Sequence, residues 1–258
     1  RHRFLLQGAF DTADDIIDLC KDGEHIGVDG VLLGHPNSFY PTSAAELESY
    51  TRHVCASTDL PVVLFVVAHS NLSRLDPRGF PQDLLEDLAA TEDTIVAVKY
   101  ELGRQHTMRT YDCFRRMEDA TVLLSDPMEF NAPMWVDLFG MQWMGTSNYE
   151  YYGDRVPRMF AALLEGKRDD AMEIYWSIQP AREARRQEMA ALGPMNFVHR
   201  YLWKYMAWLN GYNGGPLRQP APKLNDGQMR RAAAGLVAAG IIDAAPDPAD
   251  FFVGRNPA

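Results

Sequence analysis

Lys99 is the residue of this sequence whose type and position best suit nucleophilic chemistry. It follows residues 94–98, where β-branched and small apolar side chains predict a strand buried on both faces. Burial disfavours the charged form of an amine, and a neutral lysine amine can form a Schiff base with a carbonyl substrate. The alternative is a lysine just beyond the strand end, with its ammonium group in water or paired with Glu101.

The segments that would position Lys99 alternate between strand-like and helix-like patterns. Apolar runs typical of strands occupy residues 3–6, 30–33, 61–67, 94–98, 121–124 and 143–146. Helical periodicity occupies residues 12–20, 43–56, 81–90, 104–117 and 128–139. Ser43 begins a capping-box pattern, and Pro81 suits the first turn of a helix. This alternation predicts an α/β fold with a parallel sheet, whose strands all end at the same edge.

After residue 148 the pattern is helical throughout. The predicted helices occupy residues 156–164, 169–188, 195–209 and 225–239. The third of them is apolar on most sides, around Trp203, Tyr205 and Met206. Such a helix is expected to be buried, either within the chain or against another subunit.

A parallel sheet would bring several polar side chains together at the carboxyl ends of its strands. Besides Lys99 and Glu101, these are His35, His69, Ser125, Asp126, Thr146 and Asn148. Lys99 could attack a 2-oxo acid while hydroxyls or backbone amides hold the substrate's carboxylate. Alternatively, the two histidines and the carboxylates of this set could bind a divalent metal ion, although no local ligand motif such as HExxH is present.

Composition narrows the classes of function. The chain has 258 residues, of which 47% are apolar and 23% charged, as is ordinary for a globular protein. Its net charge of −10 argues against nucleic-acid binding, and its apolar runs are too short for a membrane span. The N-terminal segment lacks the features of a signal peptide. Cys20, Cys55 and Cys113 are far apart and form no CxxC pair, so we expect neither disulfides nor structural zinc. These features predict a cytoplasmic protein.

Five segments match, in order and with compatible spacing, the motifs of one enzyme family. Residues 27–36 read GVDGVLLGHP, with Tyr40 and Ser43 following, beside the family's GADGVLVVTPYY. Residues 59–65 (DLPVVLF) and 95–99 (IVAVK) correspond to DLPVILYNVP and NIVGIKE. Residues 140–148 and 213–220 correspond to GADGVISVTAN and GGPLRLPL. The chain thus resembles the dihydrodipicolinate synthase and N-acetylneuraminate lyase family.

The resemblance implies a (β/α)8 TIM barrel with a C-terminal helical extension. Residues 1–165 would form the barrel portion, resembling family strands three to eight, and residues 166–258 the extension. It also implies a homo-oligomer, a tetramer or a dimer, that needs no cofactor and acts on pyruvate-like 2-oxo acids. Lys99 falls on the family's Schiff-base lysine.

Two departures from the family pattern alter the expected activity. Phe65 falls where the family has a tyrosine that relays protons, and phenylalanine has no hydroxyl group. The arginine that recognises the aldehyde substrate's carboxylate in dihydrodipicolinate synthases falls near Ser70. We therefore expect a Schiff-base lyase, an aldolase or a dehydratase, other than dihydrodipicolinate synthase. The substrate pocket would be lined by Phe65, Ser125, Asp126, Thr146 and Asn148.

Several residues could replace the lost proton relay or position the substrate. The candidates are Tyr40, Ser38, His69, Glu101 and Tyr100. Tyr40 and Ser38 lie in the loop where the family places a tyrosine that reaches a neighbouring subunit's site. His69 belongs to a residue type that titrates near neutral pH. Glu101 follows Lys99 by two residues and so shares its side of the strand.

The chain begins at what resembles the family's third strand. We therefore expect the natural protein to continue upstream, with two more strands and the GTTGE loop that holds the pyruvate carboxylate, because an open parallel sheet would expose unpaired edges.

Two other functions stay open. The chain could be a catalytically silent homologue that binds a small carboxylic acid, or a metal-dependent barrel enzyme using His35 and His69.

Overall fold

The computed structural model describes residues 5–8, 12–36, 38–68, 70–103, 106–146, 149–190, 200–212 and 215–253. The chain forms two compact units, Arg1–Gly145 and Thr146–Ala258. The boundary between the units, after Gly145, lies earlier in the chain than the expected division between residues 165 and 166. That division concerns the extent of the barrel portion and stays a prediction.

The first unit contains a parallel sheet whose strands follow one another in chain order. In the described part of the chain its strands are β1 Leu5–Gly8, β2 Gly30–Leu33, β3 Val62–Val67, β4 Ile95–Glu101 and β5 Leu123–Ser125. Each strand pairs in parallel with the next. The predicted α/β class is therefore confirmed, and all strand carboxyl ends lie at one edge of the sheet.

Residues 143–146 do not form the expected sixth strand: within the described range 141–146 the chain has no strand. The backbone N–H of Gly145 donates instead to the Ser125 Oγ, at 3.2 Å. Because a side-chain hydroxyl accepts this hydrogen bond, the segment is attached beside β5 without extending its backbone ladder.

The pairing of β3 with β4 contains an irregularity. Val62 pairs with Ile95 and Val63 pairs with Ala97, so the register skips Val96. Such an extra residue is the hallmark of a β-bulge. Val96 is 42% exposed, unlike its neighbours on either side.

The helices of the first unit follow the strands as expected. They are α1 Ala13–Ile26, α2 Ala44–Cys55, α3 Gln82–Thr91, α4 Thr107–Arg116 and α5 Ala132–Phe139. The predicted capping box of α2 is only half formed. The Ser43 hydroxyl accepts from the Glu46 N–H at 3.3 Å, but the Glu46 carboxylate accepts from the backbone N–H of Thr42, at 2.9 Å.

Aromatic packing fixes which face of β4 meets the helices. Tyr100 is buried against Phe80 and Phe114, with ring centroids 6.4 and 6.0 Å away. Phe114 in turn stacks on the buried Trp135 of α5 at 4.9 Å. Since side chains alternate along a strand, Lys99 must lie on the opposite face from Tyr100. The helical layer thus covers one face of β4 and leaves Lys99 on the other.

The second unit is helical. Its helices are α6 Tyr149–Tyr152, α7 Arg155–Leu164, α8 Arg168–Ser177, α9 Gln179–Met189, α10 Arg200–Leu209, α11 Asp226–Ala238 and α12 Pro248–Val253. The predicted helix 169–188 is two helices, because Pro180 lacks an N–H and restricts the residue before it. The predicted apolar helix is confirmed in α10, whose Tyr205 and Met206 are fully buried within the chain. None of the described helices has the length and apolarity needed to cross a bilayer.

Candidate active site

Lys99 lies on β4, which has β3 on one side and β5 on the other, near the carboxyl edge of the sheet. It is in register with Phe65 of β3 on one side and with Ser125 of β5 on the other. Its side chain is 13% exposed. The neighbouring strands therefore shelter the amine while leaving a small part of the side chain open to a ligand.

Among the described residues, two groups contact the amine directly. The Lys99 Nζ lies 3.1 Å from the Glu101 Oε2, a hydrogen-bonding ion pair. It also lies 4.5 Å from the centroid of the half-buried Phe65 ring, within the range of a cation–π contact. Pairing with Glu101 is the arrangement expected for a structural lysine. The same pairing also places a group that can exchange protons beside the amine.

Gly145 and Trp143 complete the surroundings of the Lys99 stem, and the sequence patterns did not single out either one. A Cβ added at Gly145 would lie 2.7 Å from the Trp143 Cζ3 and 3.4 Å from the Lys99 Cδ. The missing side chain at Gly145 therefore makes room for the indole ring and the lysine stem together. The sequence shows a large residue, Trp143, two positions before a small one, Gly145. That spacing does not reveal that both lie near Lys99.

Asp126, at the end of β5, is engaged in local structure. It is 2% exposed and accepts hydrogen bonds from the Met128 N–H at 2.8 Å, the Asn131 Nδ2 at 2.9 Å and the Trp135 Nε1 at 2.7 Å. Burial raises the pKa of the Asp126 carboxyl; these hydrogen bonds oppose the rise and the negative charge of Glu101 adds to it. Asp126 thus holds the turn that leads into α5.

Ser125 is fully buried, and its hydroxyl accepts the Gly145 N–H. It lies beside Lys99 in the sheet and binds the segment that carries Trp143. A role in lining the substrate pocket stays a prediction for Ser125, as it does for Asp126 and Phe65.

Tyr100 does not belong to the site. It lies among the aromatic rings of the helical layer, on the other face of β4 from Lys99. Burial raises the pKa of the Tyr100 phenol well above its usual value, so this group is a poor proton carrier near neutral pH. The alternation of side chains along β4 was sufficient to exclude it.

The loop after β2 carries Ser38 and Tyr40, and both side chains are exposed, that of Tyr40 by 66%. Asn71, which sequence reasoning missed, ties this loop to the turn after β3. Its Nδ2 donates to the backbone oxygens of Pro36, at 3.2 Å, and of Phe39. The two candidates therefore stand at the carboxyl edge of the sheet, with no contact to Lys99 among the interactions that the structure records.

His35 has a structural environment. It is 7% exposed, and its Nε2 lies 3.1 Å from the Thr51 Oγ1. Its ring stacks with Phe39 and is tilted relative to the Tyr50 ring. Within the described residues, no group of three or more histidine, cysteine, aspartate or glutamate side chains is placed to hold a metal ion. His69 and Asn148 lie outside the described residues, and Thr146 is the first residue of the second unit.

The structure therefore brings together Lys99, Glu101, Phe65 and Ser125, four of the residues singled out in the sequence. They present an amine, a carboxylate, an aromatic face and a buried hydroxyl. An amine next to a carboxylate can exchange a proton with it and can attack a carbonyl carbon once it is neutral. The arrangement is one that imine chemistry could use.

Comparison with known sequences identifies relatives of this chain. The sequence model of the dihydrodipicolinate synthetase family matches residues 7–232. A 4-hydroxy-tetrahydrodipicolinate synthase of Cutibacterium acnes is 27% identical over 179 residues, which cover 67% of this chain and 54% of that enzyme. The chain thus spans about half the length of this curated relative.

Solved structures show the same fold. Dihydrodipicolinate synthase from Cyanidioschyzon merolae with lysine bound matches with a TM-score of 0.72 and 17% identity, over 93% of this chain and 75% of that one. The 2-keto-3-deoxygluconate aldolase of Sulfolobus sulfataricus, in complex with D-KDPG, matches with a TM-score of 0.69 and 17% identity, over 95% of this chain and 78% of that one. These likenesses confirm the predicted fold class, that of (β/α)8 TIM-barrel proteins with C-terminal helices.

Proposed function

Because the chain belongs to the dihydrodipicolinate synthetase family, we propose that it is a Schiff-base-forming lyase that acts on a pyruvate-like 2-oxo acid through Lys99. The observation that carries the proposal is the position of the Lys99 amine. It lies at the carboxyl edge of the parallel sheet, where α/β barrel enzymes place their active sites, and it is paired with a carboxylate.

In the proposed reaction the Lys99 nitrogen attacks C2 of the 2-oxo acid. A C–N bond forms, and the carbonyl oxygen leaves as water. The protonated imine then accepts the electron pair released when a C–C bond breaks, or when a proton is removed before the loss of water. An aldolase and a dehydratase share these steps up to the imine.

The specific activity is proposed to differ from that of dihydrodipicolinate synthase. Phe65, in contact with the Lys99 Nζ at 4.5 Å, stands in the place of the family's proton-relaying tyrosine and has no hydroxyl group. Ser70 stands near the place of the arginine that would bind the aldehyde's carboxylate. We further propose a homo-oligomer, tetramer or dimer, that needs no cofactor.

Reductive trapping tests the proposal directly. The protein is incubated with pyruvate or another 2-oxo acid and sodium borohydride, and mass spectrometry locates the adduct. We expect one adduct, on the peptide that contains Lys99, and none in Lys99→Arg, which keeps the positive charge beside Glu101 but forms no imine. An unmodified Lys99 in intact, folded protein would contradict the proposed chemistry.

A silent homologue that binds a small carboxylic acid is the second candidate, and the absence of a hydroxyl at Phe65 favours it. A ligand that binds only the native state raises its apparent stability. Thermal stabilisation by pyruvate without an adduct on Lys99 would support this second function over the first.

A further inference from the structure

We infer that Glu101 is the proton carrier of this imine chemistry, a role that rests on the proposed function of Lys99. Its Oε2 lies 3.1 Å from the Lys99 Nζ, within hydrogen-bonding distance of the atom that must lose a proton before it can attack. The Glu101 side chain is 36% exposed, so it can also exchange its proton with a bound substrate or with water.

The other groups around the amine are unsuited to this role. Phe65 faces the Nζ but carries no exchangeable proton. The Ser125 hydroxyl is buried and accepts the Gly145 N–H. Asp126 is another carboxylate, and the charge of Glu101 helps to raise its pKa. Its oxygens accept three N–H donors that hold the turn after β5. Among the described neighbours of Lys99, Glu101 has both the chemistry and the contact.

The sheet gives this pair a fixed geometry. Lys99 and Glu101 are two residues apart on one strand, so their side chains leave the same face of β4. Both residues are paired with β3, Lys99 with Phe65 and Glu101 with Val67. A catalytic pair on a paired strand is held more precisely than one on a loop.

The proton balance of imine formation fits an ion pair. The Lys99 ammonium first gives a proton to the Glu101 carboxylate, and the neutral amine attacks C2 of the 2-oxo acid. A proton moves from nitrogen to the former carbonyl oxygen, which gives a neutral carbinolamine. The protonated Glu101 then gives its proton to that hydroxyl group, water leaves, and the nitrogen lone pair forms the protonated imine. Glu101 ends as a carboxylate, ready to accept the next proton.

The test measures the rate at which Lys99 is trapped by pyruvate, with cyanoborohydride in excess so that imine formation limits the rate. We expect trapping to be about 100-fold slower in Glu101→Gln, which has similar size but cannot carry the proton. In Glu101→Ala the vacated space should admit formate. Added formate should raise the trapping rate of this variant by at least about tenfold. Formate should not restore Glu101→Gln, because the amide fills the space.

Glu48→Gln is the matched control. Glu48 pairs with Arg52 at 2.9 Å on the exposed side of α2, so this change removes an ion pair of similar length away from Lys99. Its trapping rate should equal that of the unmodified protein, and thermal unfolding should show that every variant is folded.

The outcomes separate this role from the proposed function. Equal trapping rates in Glu101→Gln and the unmodified protein would overturn the role of Glu101 and leave the Lys99 imine intact. Slow trapping in both variants without rescue by formate would also overturn it, since Glu101 would then only position the amine. No adduct in the unmodified protein would overturn the imine and, with it, the role of Glu101.

Discussion

The carboxyl ends of β4 and β5 each carry a charged side chain, but Lys99 and Asp126 are held in opposite ways. Asp126 is buried and accepts hydrogen bonds from three N–H donors of its own turn. Lys99 is sheltered by its neighbours and, among the described residues, contacts one carboxylate and one aromatic face. Position at the active edge of a barrel therefore does not by itself make a residue a candidate for catalysis.

The difference lies in how much hydrogen-bonding capacity is already used. A buried polar group whose partners are all local contributes to the fold, and its loss leaves those partners unsatisfied. An ammonium group has three donors, and within the described part of the chain that of Lys99 forms one ion pair, which leaves donors for a substrate. The count of partners distinguishes the two residues better than their distance from the edge.

The largest effect on stability is expected from Asp126→Ala. It removes the acceptor of the Met128, Asn131 and Trp135 N–H groups, and should lower the free energy of unfolding by about 3 kcal/mol. Lys99→Met removes a partly exposed ion pair and should cost less than about 1 kcal/mol. Urea unfolding of both variants measures this difference. Equal losses would show that Lys99 is as structural as Asp126.

A smaller effect on stability is expected from Gly145→Ala. Gly145 is bound to Ser125, which lies next to Asp126 in the sequence and next to Lys99 in the sheet, so this change tests the surroundings of both. The new Cβ would approach the Trp143 ring to 2.7 Å and the Lys99 Cδ to 3.4 Å, so the indole must move. Overpacking of this kind costs about 1–3 kcal/mol. The trapping rate of Lys99 should also fall if the displaced indole ring moves into the space beside the Lys99 stem. Gly140→Ala would be a poor control, since its backbone has a positive φ of 61°.

The smallest effect is expected in the pH dependence of stability. Burial raises the pKa of Asp126 above its usual value of 3.8, so the folded state binds this proton more tightly than the unfolded state does. The resulting contribution is fully present below pH 3.8 and is lost as the pH rises through the raised pKa of the folded state.

In Asp126→Asn the side chain at position 126 does not ionise, so this variant lacks the pH-dependent contribution. The stability of the unmodified protein relative to Asp126→Asn should therefore fall as the pH rises from 3.8. Urea unfolding at several pH values measures this difference. A difference that grows with pH would mean that the three hydrogen bonds outweigh burial and lower the pKa of Asp126.

Local patterns predicted the fold well. The predicted bounds of β2, residues 30–33, coincide with the observed strand, because a short apolar run between glycines has few other ways to fold. Residues 143–146 have the same apolar character but form no strand. A strand needs a backbone partner as well as a suitable pattern, and the sequence does not state which partners are within reach.

The candidate site was predictable where local geometry decides it. Alternation along β4 placed Glu101 beside Lys99, and it also excluded Tyr100, a signal that was present in the sequence but was not used. The closeness of Gly145 to the Lys99 stem joins residues far apart in the chain. No local pattern contains that information, and only the packed structure reveals it.

The bulge at Val96 determines on which face of the sheet the Lys99 side chain lies. If Val96 were paired instead of skipped, Val63 would pair with Val96 and Lys99 would fall opposite Val66, on the face covered by helices. The Val96 side chain is 42% exposed, so its type matters less for packing than its being skipped. Deleting Val96 would leave Ala97 opposite Val63 and Lys99 opposite Phe65 in a regular ladder. Inserting one residue between Ala97 and Lys99 would instead move Lys99 opposite Val66 and turn the amine away from any substrate, while leaving every proposed catalytic residue in the gene.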